Sequence, residues 1–337
     1  MMRSASMRWL PMWQSVKSWF SQAASDSLVS QVQAPILSAQ QIHALGDEVS
    51  QLATRSVANP KASEARKQGE QASRYLGSGM EYEESRPYQP GDEVRRINWR
   101  LMARTGQAYT KLFQEERQEN WTLILDQRQS MRFGTRQRLK VVQAARAAGF
   151  FAWQAQQAGL PIEGIALSEQ VRNSATFEGR GAFERFMEFA SVACPPLAVA
   201  QESRLYDELL VCQQRLQSGS RLIILSDFKD LDEATLQLLA ALQDKIMIKA
   251  VWVYDPVEKQ LPSLPGLKLQ SLSGDFEVSQ LSVQQSKAYQ QWSRQYFDHK
   301  IQRLNQVGVT VVSLSTEDSL QVLNDQLSAG RVYASGS

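Results

Sequence analysis

Two aspartates and a serine stand at positions where they could build a site for a hard cation. Asp126 and Asp227 each lie at the end of an apolar run rich in β-formers, and Ser130 comes four residues after Asp126. If the two runs are parallel strands, their carboxyl ends meet at one edge of a sheet, where ligands bind. Mg²⁺ prefers carboxylate and hydroxyl oxygens and takes few protein ligands. Singly, each aspartate is typical of a loop cap, but together the three residues indicate a candidate magnesium site.

The spacing resembles the metal-ion-dependent adhesion site of von Willebrand factor type A domains, in which Asp-x-Ser-x-Ser is followed by later Thr and Asp ligands. This chain has Asp126-Gln-Arg-Gln-Ser130, so Arg128 stands in place of the middle hydroxyl. By this resemblance Ser203 replaces the distant threonine and Asp227 matches the last aspartate. The implied metal ligands are therefore Asp126, Ser130, Ser203 and Asp227.

Arg128 leaves three outcomes open for this site. A guanidinium within a few ångströms of two carboxylates neutralises them and repels a divalent ion. We expect such a metal-free cluster of arginine and carboxylates. The alternatives are an occupied Mg²⁺ site and an Arg128 side chain that points to solvent.

The elements that must hold these groups alternate between strand and helix from Trp121 onward. Strands are predicted at 121–125, 162–167, 221–226, 246–253 and 309–314, and helices at 136–158, 182–193, 204–217, 233–243, 286–306 and 316–327. This alternation predicts a mainly parallel sheet with helices on both faces. The fold class is therefore a doubly wound α/β domain over residues 119–337.

The composition excludes several classes of function. The 337 residues are 43% hydrophobic, and 37 Lys plus Arg nearly balance 35 Asp plus Glu, so there is no chain-wide field for nucleic acid. Two cysteines and two distant histidines do not suit a disulfide framework or a zinc site, and free thiols are typical of a reducing compartment. The sequence has no phosphate loop, nucleophile elbow or zinc spacing. We expect a cytoplasmic protein that is not an enzyme.

An amphipathic stripe precedes the folded part. Its apolar residues recur at helical spacing between Arg8 and Phe20 and include three tryptophans, Trp9, Trp13 and Trp19. We expect this stripe to dock on the protein's own body or on a partner, and the alternative is a membrane surface, which suits a basic, indole-rich helix. Residues 1–34 are predicted to be an amphipathic segment and linker, in which residues 9–20 would make the peripheral membrane contact under the alternative. No apolar run reaches the roughly 18 residues of a spanning helix.

Residues 35–118 are predicted to hold a helix, a polar connector and an arginine-rich extension containing β-structure. Ser38 and Gln41 have the spacing of a capping box before a helix over 39–54, and 59–79 lack apolar periodicity. Pro90-Gly91 suits a type II turn. Asp92 is then expected to cap a short helix through residue 99, and the alternation at 109–113 predicts a strand returning toward the main sheet.

Two stretches carry a resemblance to a known family. The first, from Gly77 to Gly106, contains Arg86-Pro-Tyr88-Gln-Pro-Gly-Asp92, and the second is Asp255-Pro-Val-Glu-Lys-Gln-Leu-Pro262. They look like the signatures of the bacterial domain-of-unknown-function 58 family, and together the matches span roughly residues 40 to 330. Asn98 stands where the family usually has aspartate.

The resemblance implies a von Willebrand factor type A-like domain with an N-terminal extension. It also implies an operon shared with a MoxR-type AAA+ ATPase and other von Willebrand factor type A proteins, and it assigns no activity. We therefore expect a non-enzymatic, chaperone-like protein-interaction module that partners such an ATPase through its degenerate adhesion site. A metal-dependent hydrolase is the alternative.

The arginine-rich segment 86–104 also carries candidate binding residues, namely Arg86, Tyr88, Asp92, Arg96, Trp99 and Arg104. Guanidinium groups bind carboxylate and phosphate in a bidentate way, so an acidic partner, phosphate or nucleic acid would each suit them. Glutamates flank the segment on both sides and favour internal pairing that pins the extension to the sheet domain. We therefore expect Trp99 to be a core anchor and expect no nucleic-acid partner.

Overall fold

The computed structural model describes residues 35–57, 80–89, 92–115, 119–194, 202–261, 268–271, 274–277 and 282–334. The amphipathic segment 1–34, the connector 59–79 and the Pro90-Gly91 turn lie outside these residues. The chain divides into a larger unit, residues 1–59 with 119–337, and a smaller unit, residues 60–118. None of the described helices is both long enough and apolar enough to cross a bilayer.

Helices and strands alternate through most of the described chain. In order they are α1 (Ala39–Val57), β1 (Met80–Pro87), α2 (Trp99–Thr105), β2 (Tyr109–Glu115), β3 (Trp121–Asp126), α3 (Lys140–Ala158), β4 (Ile162–Leu167), β5 (Arg172–Asn173), α4 (Ala182–Ala190), α5 (Leu205–Arg215), β6 (Arg221–Ser226), α6 (Glu233–Gln243), β7 (Met247–Tyr254), β8 (Lys268–Ser271), β9 (Gly274–Glu277), α7 (Val283–Gln306), β10 (Thr310–Ser315) and α8 (Leu320–Ala334).

A six-stranded sheet forms the centre of the larger unit, in the order β10-β7-β6-β3-β4-β5. Neighbouring strands are parallel except for the edge pair of β4 and β5. Along the chain, β3 is the first strand of this sheet. β4 and β5 follow on one side of β3, and β6, β7 and β10 then follow on its other side. This is the doubly wound order, whose topological switch point lies between β3 and β6. The predicted fold class is confirmed.

Helices cover both faces of the sheet because successive strand residues point to opposite sides. Leu123 and Leu125 of β3 belong to the core under α1, α3, α4 and α8, whereas Ile124 belongs to the core under α5, α6 and α7. All three side chains are buried. The near-continuous apolar runs that predicted the strands therefore reflect burial on two faces.

Helix α1 packs on α3 of the larger unit. Leu45, Val49 and Leu52 of α1 are buried in the core that α3 shares, and Glu48 forms an ion pair of 2.7 Å with Arg146 of α3. Ser38 and Gln41 exchange the two hydrogen bonds of the predicted capping box. We expected this helix to belong with the arginine-rich extension in residues 35–118. The structure groups it with the sheet instead, because its apolar stripe is covered there.

The smaller unit is built on an antiparallel ribbon. Strand β2 pairs with β1 in a two-stranded sheet of its own, and does not return to the main sheet as expected. The predicted helix cap at Asp92 is also wrong, since the side chain of Asn98 accepts the bond from the Leu101 amide that starts α2. Asparagine and aspartate are equally good caps, so the departure from the family pattern at Asn98 preserves this role.

Both cysteines lie in the core, and burial should make them unreactive. Burial raises the pKa of Cys212 to about 12 and also raises the pKa of Cys194. Because the thiolate is the reactive form, iodoacetamide at about pH 8 should label neither thiol in the folded chain and both after denaturation. Rapid labelling of the native protein would contradict this prediction.

The raised pKa of Cys212 also makes the stability of the folded state depend on pH. The folded state holds the thiol proton more tightly than the unfolded state does. This contribution to stability is therefore present below the ordinary pKa of 9.0 and is lost as the pH rises toward about 12.

Candidate functional site

The two aspartates predicted to meet do lie at one edge of the sheet. Strands β3 and β6 are neighbours in register, with Leu125 opposite Leu225. Asp126 comes next on β3, and its Oδ2 accepts a hydrogen bond of 2.6 Å from Ser226. Asp227 follows Ser226 directly. Asp126 and Asp227 therefore stand at the topological switch point, and both side chains are buried.

Arg128 turns back onto Asp126. Its Nε and Nη2 donate to the two oxygens of the Asp126 carboxylate at 2.9 and 2.7 Å. Its Nη1 and Nη2 donate to the Asp230 carboxylate at 2.5 and 2.9 Å, and Nη1 also reaches the Ser203 carbonyl at 3.2 Å. All five N–H donors of the guanidinium thus have an acceptor. We call Asp126, Arg128, Ser226 and Asp230 the strand-end cluster.

The charges of the strand-end cluster stabilise one another. Burial alone would lower the pKa of Arg128, but the charges and hydrogen bonds of Asp126 and Asp230 raise it above its usual value. Burial likewise opposes ionisation of Asp230, yet the hydrogen bonds and charge of Arg128 bring its pKa below the ordinary value. Arg128 and Asp230 are therefore both ionised at neutral pH.

The loop after β6 is strained where it presents Asp230. Phe228 has a left-handed backbone with φ of 49°, which costs a residue other than glycine on the order of 1–3 kcal/mol. Its amide donates to the Ser226 hydroxyl at 2.9 Å, and its ring packs on Trp252. These contacts hold the turn that brings Asp230 to Arg128.

A second buried cation holds Asp227. Lys140, at the start of α3, donates to Asp227 at 2.8 Å and to Glu258 at 2.9 Å. Its side chain has no exposed surface. We call Lys140, Asp227 and Glu258 the lysine cluster.

We did not predict Asp230, Lys140 or Glu258 as members of this site. Some signals were present. Asp230 lies three residues past a recognised strand end, Glu258 lies inside the second family signature, and Lys140 sits among the apolar residues of a predicted helix.

The two serines among the predicted metal ligands differ in their hydrogen bonds. Ser130 Oγ is buried and has no hydrogen-bond partner among the described residues. Ser203 contributes its backbone carbonyl to the strand-end cluster through Arg128.

These residues do not fit Mg²⁺. Both oxygens of Asp126 already accept from Arg128, and Asp227 is bound by Lys140. A divalent ion would therefore meet two fixed positive charges at short range. Within the described parts of the chain, no group of three or more His, Cys, Asp and Glu side chains is arranged to hold a metal.

Asp255, which opens the second family signature, is a fully buried anchor for three chain segments. Its carboxylate accepts from the amide and hydroxyl of Thr135, from the hydroxyl of Thr316 and from the Val257 amide. It also forms a capping box with Glu258. This signature therefore ties the loop after β3 to the ends of β7 and β10.

In the smaller unit, Arg86 and Asp92 are paired. Arg86 Nη2 lies 2.6 Å from Asp92 Oδ1, while Asp92 Oδ2 accepts from the Gln89 amide and the Thr110 hydroxyl. The bond from the Gln89 amide and the charge of Arg86 lower the pKa of Asp92. The Tyr88 amide, just after β1, donates to the carbonyl of Ala108, just before β2. These residues stabilise the ribbon, and the side chain of Arg96 lies outside what the structure describes.

Trp99 is not a core anchor, contrary to our expectation. It is 59% exposed, as is Val94 nearby. Arg95, Arg100 and Arg104 are exposed as well, and none of the three has an ion pair among the described residues. We call Val94, Arg95, Trp99, Arg100 and Arg104 the Trp99 face.

The fold and the two clusters define a doubly wound α/β protein whose strand-end charges are paired internally. The chain belongs to the family described as protein of unknown function DUF58, whose model matches residues 84–302. The predicted family is therefore confirmed. The match begins in β1 and ends in α7.

The curated relatives match a much shorter stretch of the chain than the family model does. Uncharacterized proteins of Mycobacterium tuberculosis and Mycobacterium bovis are each 42% identical over 59 residues, which cover 18% of this chain and 19% of the relative. The chain thus spans about a fifth of the length of the curated relatives it matches.

Two solved structures are similar at low sequence identity. The conserved hypothetical protein BatB from Bacteroides thetaiotaomicron is 12% identical with a TM-score of 0.40, covering 64% of this chain and 99% of that one. A von Willebrand factor type A protein from Catenulispora acidiphila is 11% identical with a TM-score of 0.38, covering 66% of this chain and 43% of that one.

Proposed function

We propose that this chain is a non-enzymatic protein-interaction module that binds a MoxR-type AAA+ ATPase in a chaperone-like system for complex assembly or cofactor insertion. The choice of partner comes from the family resemblance. The observation that carries the interaction role is the Trp99 face, which presents an exposed indole among three arginines with no described ion pair. The proposed setting is the cytoplasm, with residues 9–20 as a candidate contact with the membrane or with a protein.

The chemistry of the Trp99 face suits an acidic partner segment with an apolar anchor. Tryptophan and arginine are enriched among the residues that carry most of the binding energy at interfaces. Exposed arginines also steer oppositely charged partners toward them. The strand-end cluster is a weaker candidate for docking, because Asp126 and Arg128 are buried and already satisfy each other.

A hydrolase is a weaker candidate for the same reason. Acid–base catalysis needs a carboxyl whose pKa is raised toward neutrality. Asp230 has a lowered pKa instead, and Asp126 and Asp227 are each bound to a buried cation. Within segment 86–104, Arg86 pairs with Asp92, which leaves one fewer cation for a nucleic acid.

The test is a binding titration of the purified full chain with the purified MoxR-type ATPase from the same organism. Trp99→Ala should weaken the complex roughly 30-fold, which corresponds to the loss of about 2 kcal/mol at a dominant contact. Arg100→Glu with Arg104→Glu should weaken it at least as much.

Matched controls use exposed arginines of the larger unit. Arg180→Glu and Arg294→Glu change the same net charge at positions with no described ion pair, and should leave the affinity within a few-fold. If these controls weaken binding equally, the Trp99 face is not the docking surface. Failure of the unmodified chain to bind at micromolar concentration would refute the ATPase partnership.

A further inference from the structure

We infer that Arg128 is a permanent internal cation that closes the strand-end cluster to divalent ions, and that replacing it with serine opens a Mg²⁺ site. This inference does not depend on the proposed function. It concerns the larger unit alone, and its test needs no partner.

The first observation is the shell of oxygens around the guanidinium. Arg128 is bound by the end of β3 through Asp126, by the segment before α5 through Ser203, and by the loop after β6 through Asp230. The five acceptors are four carboxylate oxygens and one carbonyl oxygen. Hard divalent ions in proteins take the same kinds of ligand. The arginine therefore joins three loops as such an ion would.

The second observation is Ser130. Its hydroxyl is buried, with 9% of the residue exposed, and no described group satisfies it. An unsatisfied buried hydroxyl is uncommon because it loses its bonds to water without replacement. By the resemblance of Asp126-Gln-Arg-Gln-Ser130 to Asp-x-Ser-x-Ser, this hydroxyl would be a metal ligand together with Asp126.

The third observation is the balance of charge. Asp126 and Asp230 share one cation that is 1% exposed. Arg128 is tethered to the chain and stays protonated at every accessible pH, so the carboxylates need no dissolved ion. Removing only the guanidinium leaves the Asp126 and Asp230 carboxylates around one position without their shared cation. Serine at position 128 would add a second hydroxyl and complete the spacing Asp-x-Ser-x-Ser.

The experiment measures thermal unfolding of the full chain with Mg²⁺ or Mn²⁺ on the order of 10 mM, against EDTA and against a sodium salt of equal ionic strength. The unmodified chain should unfold at the same temperature, within about 1 °C, under all conditions. Arg128→Ser should unfold several degrees lower in EDTA and recover most of that loss with either divalent ion. The double variant Arg128→Ser with Asp126→Asn should not respond to the ions.

A titration on the unmodified chain keeps the inference testable if Arg128→Ser does not fold. Calorimetry with Mn²⁺ should give no binding heat. A saturable heat that is lost in Asp126→Asn or Asp227→Ala would overturn the inference, and so would a folded Arg128→Ser protein that ignores both ions. A failure of the ATPase titration would leave these results unaffected.

Discussion

Replacing Lys140 with methionine should lower the free energy of unfolding by about 3–5 kcal/mol, since breaking a buried ion pair leaves uncompensated charge in the core. Lys140 has no exposed surface and is the described cation that contacts both Asp227 and Glu258. Methionine fills a similar volume, so the loss would come from charge and not from a cavity. Urea denaturation monitored by circular dichroism gives the value.

Lys287→Met provides the matched control for this prediction. Lys287 is exposed on α7, and its loss should change stability by less than about 0.5 kcal/mol. In the Lys140→Met background, neutralising the partners with Asp227→Asn and Glu258→Gln should restore part of the stability. A loss below about 1 kcal/mol in Lys140→Met would show that the lysine cluster does not hold the fold together.

Asp255→Ala should cost about 3 kcal/mol or more, because the carboxylate accepts four hydrogen bonds in a fully buried position. Both of its oxygens accept from a backbone amide, Oδ1 from Val257 and Oδ2 from Thr135. Asp255→Asn should therefore lose most of the same stability. Whichever way its side chain turns, the amide NH₂ would face a donor.

The exposed helix cap Asp232 provides the control for the Asp255 prediction. Asp232 caps α6 by accepting from the Thr235 amide at 2.8 Å, and it is exposed. Asp232→Ala should cost about 1 kcal/mol, the ordinary loss of an N-cap. Equal losses in Asp255→Ala and Asp232→Ala, measured by the same denaturation, would mean that the second family signature is no more than a local cap.

Local patterns allowed most of the secondary structure to be predicted. The strands around Asp126 and Asp227 are apolar runs buried on both faces, and such runs are visible without any partner. The capping box of Ser38 and Gln41 was equally visible, because both groups lie within one helical turn. The prediction that Asp92 caps a helix was wrong, although aspartate is a good capping residue. Its carboxylate is bound by Arg86, and Asn98 caps α2 instead.

The ionic contacts were much harder to predict. Arg128 and Asp230 are 102 residues apart, and Lys140 is 87 residues from Asp227 and 118 from Glu258. Nothing in a local window tells which of many charged side chains meet over such separations. The exposure of Trp99 was not predicted for the same reason. A large aromatic residue is expected in the core unless its neighbours in the fold are known.

From its sequence alone, this protein is a doubly wound α/β chain with two carboxylates and an arginine near the ends of two strands. Hydrophobic periodicity and the alternation of strands with helices are properties of short segments, so the fold class could be read from the sequence. Only the tertiary structure decided that Arg128 binds Asp126 and Asp230 and that Lys140 binds Asp227. A buried charge takes whichever partner the packing of distant segments brings within hydrogen-bond distance.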